Sequence, residues 1–212
     1  MFPFFMREGL TIPDPRVTLF TMSANRFNLK PIVAALFAIV MYSLPLAGQQ
    51  AASVSDRLAG LYEDLATATA AEARGIEREI RLEWRRTGSP AMDLLLKRGR
   101  DALERGEYDV AIEHLTALTD HAPDVAEGYH ARARAYFRVE QIGPAMADLE
   151  RALALDPQHY EAAHGLAVVL EALDRPQQAY AAYRVVLSLH PHYDAAAEAV
   201  TRLKARVEGL RI

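Results

Sequence analysis

Three prolines, Pro123, Pro157 and Pro191, stand 34 residues apart, and the text ahead of each is of one kind: AIEHLTALTDHAP, AMADLERALALDP, AYAAYRVVLSLHP. A fixed period of this size is the mark of a stacked supersecondary unit, one that buries its apolar face only against a neighbouring copy. Aligned at the period, Ala111, Ala145 and Ala179 share a column, as do Leu115, Leu149 and Tyr183, and Leu118, Ala152 and Val186. All are small or apolar at helical spacing, so each block holds an amphipathic helix that ends before a proline turn. The preceding half of each block is a second helix. Gly99, Ala133 and Ala167 form its column of small residues, where the helices of a hairpin approach closely, and Leu95, Tyr129 and Ala163 lie one turn earlier. Gly106-Glu107-Tyr108 makes the first inter-helix turn; Pro144 and Pro176 open the second helix in the other blocks, where a missing N–H costs little.

The pattern predicts helices near 54–66, 71–87, 91–105, 108–120, 125–139, 143–154, 159–172, 176–189 and 193–209. Stacked repeats need capped ends. In 194–212, Ala197, Val200, Leu203 and Val207 form one stripe, which suits a capping helix. At the other end, Leu58, Leu61 and Leu65 precede Ile76, Ile80 and Trp84, so 54–90 is expected to be a helical hairpin, a degenerate fourth repeat with Trp84 as a packing residue. His190 and His192 flank Pro191 and are expected to be exposed in a turn.

These columns resemble the tetratricopeptide repeat, a helix–turn–helix unit, with copies at 92–125, 126–159 and 160–193 within a module of 91–193. The small residue at repeat position 8, the alanine at 20, the large apolar residue at 24 and the proline at 32 are all met. The aromatic at position 4 is present only as Tyr129, that at position 11 only as Tyr136, and position 27 is Leu118 in the first copy. The resemblance, which extends to small exported bacterial members of the family, implies an all-α, right-handed solenoid of antiparallel helix hairpins.

It also implies a ligand groove lined by the first helix of each copy. Carried over residue by residue, position 2 is Asp93, Glu127 and Glu161, and position 5 is Leu96, His130 and His164. Position 9 gives Arg100 and Arg134, position 12 Leu103 and Phe137, and position 13 Arg138. The implied role is capture of a protein or peptide, with guanidinium forks gripping the carboxylates of an acidic segment. The alternative for the arginines is pairing with the acidic ladder beside them. Protonation of His130 and His164 is expected to strengthen capture at mildly acidic pH. The family's two-carboxylate clamp uses a lysine and an asparagine that are absent here, so a chaperone tail is not the expected ligand. His130 and His164 lack a third ligand fixed by the pattern, so no metal site is expected, and no cofactor.

Residues 31–47 read PIVAALFAIVMYSLPLA after Arg26 and Lys30, the layout of a secretory signal. The run is short for a relaxed membrane span of about 20 residues. Residues 22–53 are therefore read as a signal peptide, or alternatively as an anchor holding a scaffold component in an envelope assembly. The preceding 1–21 carry Glu8, Asp14 and three prolines, which fits a signal poorly, so Met22 is the expected initiator. An exported, periplasmic adaptor is the reading, with an inner-membrane anchor facing the periplasm as its alternative. The chain has no cysteine, which excludes disulfides, thiolate metal sites and a cysteine nucleophile. A net charge of −4 gives no global basic excess for nucleic acid. With no phosphate loop, G-x-S-x-G elbow or H-E-x-x-H helix, catalysis is not expected.

Overall fold

Each column of the repeat becomes a layer of the core. The computed structural model describes residues 46–209, and among these nine helices follow one another with no strand. They are α1 (Leu46–Thr67), α2 (Ala70–Trp84), α3 (Pro90–Arg105), α4 (Tyr108–His121), α5 (Ala126–Arg138), α6 (Ile142–Leu155), α7 (Tyr160–Ala172), α8 (Pro176–Leu189) and α9 (Asp194–Gly209). From α3 onward, each helix packs on the next, and the first helices of the repeats, α3, α5 and α7, also touch in succession. The result is a solenoid of helical hairpins with α3, α5 and α7 as one wall. Ala111, Ala145 and Ala179 are wholly buried where the two helices of each hairpin meet, and the columns of Leu115 and Leu118 are buried beside them. None of the described helices is long and apolar enough to cross a membrane.

The turns repeat as faithfully as the core. Gly106 ends α3 in the left-handed region at φ 77°, and the same column carries Glu140 at φ 61° and Asp174 at φ 58°. Each is followed by an amide that reaches back five residues: Glu107 to the Ala102 carbonyl, Gln141 to Tyr136, and Arg175 to Leu170. These bonds satisfy carbonyls left open at a helix C-terminus. The second helices α4, α6 and α8 end two residues before Pro123, Pro157 and Pro191.

The ends depart from expectation. The cap α9 buries Ala196, Ala199, Leu203 and Val207, while Ala197 is exposed and Val200 half-buried. Its face is thus turned from the predicted stripe, and Arg202 and Arg206 pair with Glu171 and Asp174 of the third repeat. The hairpin α1–α2 exists, with α2 begun by Thr69, whose amide and hydroxyl both donate to the Glu72 carboxylate. It does not extend the stack beside α3 and α4. Instead, Tyr62, Leu65, Ala73, Ile80 and Trp84 form one cluster with Tyr160, Leu189 and Tyr193 of the third repeat. The hairpin passes over the first repeat because its aromatic and charged partners lie beyond it.

Candidate functional site

The site grows from the first turn of α5. Glu127 and His130 stand one helical turn apart, and each is only 3% exposed. His130 Nδ1 lies 2.9 Å from Glu127 Oε2, and His159 Nε2 lies 3.2 Å from the same oxygen. Arg100 of α3 donates to the other oxygen, Oε1, at 2.5 Å. Of the two roles weighed for Arg100, the structure places it with the acidic ladder. Burial opposes ionisation of Glu127, but its pairing and hydrogen bonds with His130 and His159 outweigh it and hold the carboxyl far below its ordinary range. Burial also lowers His130, with the Glu127 carboxylate acting against it, and lowers His164, with Glu161 opposing. Mild acid therefore does not readily charge these rings, contrary to the expectation that protonation there would strengthen capture.

Glu127, His130 and His159 bring three potential metal-ligand atoms within 4.8 Å of one another. The hydrogen bonding favours another role. His159 Nδ1 accepts from the Ala162 amide at the start of α7, so in the neutral ring Nε2 carries the proton and donates to Glu127. A lone pair is then missing where a metal needs one, and the Arg100 cation is already seated on the carboxylate. The group is a buried ionic clasp joining α3, α5 and the start of α7.

Above the clasp sits α2. The Trp84 ring stacks on His159 with centroids 3.9 Å apart and planes 8° from parallel, and its indole N–H donates to Tyr62 Oη at 2.8 Å. Tyr62 in turn donates to Asp156 at 2.5 Å. Arg81 meets Glu161 at 2.7 Å, and Glu77 meets His190 Nε2 at 2.8 Å. His190 is thus wholly buried, not exposed as its turn position suggested, while His192 stays exposed with Nε2 at 3.0 Å from the Ala68 carbonyl. Burial raises Tyr62 and Tyr160 far above the ordinary phenol value and pushes Tyr193 up to about 12.

The remaining ladder residues divide by exposure. Asp93 accepts from the Thr87 amide and hydroxyl and so fastens the connector before α3. Leu96 is buried in the first repeat, and His164 lies between the Tyr183 and Tyr193 rings. Leu103 and Phe137 are half-buried, and Arg134 and Arg138 are exposed, with the Arg138 guanidinium 5.3 Å over the Tyr108 ring. Neither arginine is held in an ion pair among the described residues. His159, Trp84, Tyr62, Tyr160 and His190 were not among the candidates from sequence. A further column, Val125, His159 and Tyr193, held the signal for one of them: a polar ring at a position otherwise apolar or aromatic.

A family model, the tetratricopeptide repeat, matches residues 96–138 and 130–194. A TPR repeat-containing protein of Rhizobium etli is 31% identical over 140 residues, covering 66% of this chain and 69% of that one. The chain belongs to the tetratricopeptide-repeat family. The yeast small glutamine-rich tetratricopeptide repeat-containing protein 2 (Saccharomyces cerevisiae) is 29% identical over 62% of this chain, which spans only 37% of that protein. Among solved structures, the first TPR domain of Spaghetti bound to the HSP90 peptide SRMEEVD superposes with a TM-score of 0.55 at 27% identity, over 57% of this chain and 95% of that one. The Sgt2 TPR domain of Aspergillus fumigatus gives 0.54 at 27%, over 57% and 81%.

Proposed function

We propose that this protein is an exported adaptor that binds a protein or acidic peptide along the α3–α5–α7 wall, in the part that α2 leaves open. The observation that carries the reading is the state of α5. Arg134 and Arg138 are exposed and without an ion pair among the described residues, one turn apart, with the half-buried Phe137 between them, whereas Arg100 is committed to Glu127. Two guanidiniums beside an aromatic ring suit a carboxylate-bearing segment with an apolar side chain. The similarity to a TPR domain bound to an acidic peptide supports the same class of ligand. Binding, not catalysis, is the role.

Reversing both charges (Arg134→Glu with Arg138→Glu) should abolish capture of the partners that wild-type chain retains on a column, with helical content unchanged. Undiminished capture would move the site off this wall. Export rests on Arg26, Lys30 and the apolar run 31–47. This segment lies almost wholly outside the described residues. A reporter active only outside the cytoplasm, fused after Asp194, should be active, and deleting 32–44 should silence it. A mature N-terminus at or before Met22 would favour the anchored reading.

A further inference from the structure

One surface of the repeats already holds a ligand-like segment. Along α2, Ala73, Glu77, Ile80, Arg81 and Trp84 fall on one face, at the spacing by which an amphipathic helix anchors in a groove. Each of them meets the rim formed by residues 156–161 and 189–193. Ala73 and Ile80 join the cluster around Tyr160, Trp84 covers His159, Arg81 pairs with Glu161, and Glu77 pairs with His190. The helix is attached to the first repeat through Arg85–Ser89, a connector in which Gly88 takes φ 82°.

The seat is incompletely used. The Tyr160 hydroxyl and His190 Nδ1 are buried beneath the hairpin with no hydrogen-bond partner among the described residues. Beside α2 a cavity of about 480 Å³ opens toward the start of α9, lined by Ala70, Arg74, Arg81, Tyr193 and Asp194 among others. An unpaired buried donor or acceptor is a standing cost that a better-matched occupant removes. With Nε2 of His190 turned to Glu77, Nδ1 offers a lone pair, and Tyr160 offers a proton. A side-chain amide, which accepts and donates, has the chemistry both sites lack.

We propose that the rim of residues 156–161 and 189–193 is a receptor for an amphipathic helix and that α2 is its resident occupant, displaced by a partner's helix. The partner helix carries an aromatic residue stacking on His159, an arginine one turn earlier for Glu161, and a glutamine or asparagine facing Tyr160. This rests on the adaptor reading and adds a second contact with the partner, one whose access is controlled by the chain itself.

The test needs no partner. Its probe is a fluorescein-labelled peptide of residues 70–86, added to the full chain and to the variant Arg81→Glu with Trp84→Ala, whose substitutions lie in α2 and leave the rim intact. Anisotropy should show at least about tenfold tighter binding to the variant than to wild type. Because Trp84 is the chain's single tryptophan, an unlabelled peptide is also the sole indole in the variant mixture, and its emission should shift to the blue on docking. Trp84→Phe, which keeps a stacking ring, should behave as wild type. Equal binding to wild type and variant, or none to a variant whose circular dichroism shows intact repeats, overturns the proposal. Partner capture lost only on reversing Arg134 and Arg138, alongside failed peptide docking, would leave the adaptor reading standing. Peptide docking without partner capture would do the reverse.

Discussion

Glu127 is a charge in a place where charges are expensive, and its partners explain why it is kept. One cation and two imidazoles divide its oxygens, so each oxygen of the buried carboxylate has a partner. Breaking such a set strands the remaining charge, at a cost of ~3–5 kcal/mol, although replacing the whole set by apolar groups need cost nothing. Arg100→Met should therefore lower stability on the order of 3 kcal/mol in urea titration. Arg134→Met, on an exposed side chain, should stay within about 0.5 kcal/mol. Equal effects would mean that Arg100 is a surface residue after all. The histidines set the pH response. Their folded values lie below the unfolded value of about 6.5, so as pH falls through that value the unfolded chain takes up protons first. Stability must then decline from about pH 6.5 toward the depressed folded values. Glu127 is depressed too, and its contribution persists until far lower pH, so it adds nothing in this window. Melting temperature measured from pH 8 to 5 should drop below about 6.5, and His130→Gln should flatten the drop. A wild-type Tm that rises on acidification would show the rings gaining, not losing, from the fold.

At the scale of helices and turns, close packing decides. A Cβ added to Gly99 would stand 2.5 Å from Leu115 Cγ, deep inside contact distance, with the leucine itself wholly buried. Alanine gains about 1 kcal/mol in helix propensity, but forced repacking costs ~1–3 kcal/mol. Gly99→Ala should thus be destabilising in thermal melts, and a gain in Tm would show that Leu115 can swing aside. The turns offer the opposite case. Glu140 occupies the left-handed position that Gly106 fills in the first repeat, and the strain of a side chain there is on the order of 1 kcal/mol. Glu140→Gly should stabilise by a few tenths to about 1 kcal/mol after glycine's entropy is charged against it; a lower Tm would mean that the glutamate side chain has a role in the turn. These features were legible because the period repeats them. Small columns mark helix approaches, prolines mark turns, and from α3 to α9 every predicted helix lies within one residue of its observed bounds at either end. The cap's facing residues were less legible, since 196, 199, 203 and 207 follow helical spacing as well as the stripe containing Ala197 does, and only the neighbour decides between them.

For the whole molecule the decisive contact is one that no period encodes. A linear array is stabilised by adjacent repeats alone, yet α1–α2 reaches across the first repeat to residues about a hundred positions away. Tyr62 with Asp156 and Glu77 with His190 are separated by 94 and 113 residues. Nothing at Trp84 or His159 in the sequence announces that their rings stack, because each reads as ordinary helix-end chemistry in its own segment. The groove ladder meets the same limit. Positions carried over from the family assume an uncovered wall, and here a helix lies on its upper edge while the clasp below draws in Glu127 and His130. The two kinds of contact also differ in strength. The repeats meet through aliphatic layers such as Ala145, Leu149 and Ala152, all buried, whereas the hairpin seat mixes an aromatic stack, a partly exposed ion pair at Arg81 and two unpartnered polar atoms. Local opening follows the weaker contacts first. In rising urea, the emission of Trp84 should therefore shift to the red at lower concentration than the loss of helical circular dichroism, and amides of 70–84 should exchange hydrogen faster than those of α6 and α7. Coincident transitions, with uniform protection across the chain, would make the hairpin an integral wall of the solenoid and not a displaceable occupant.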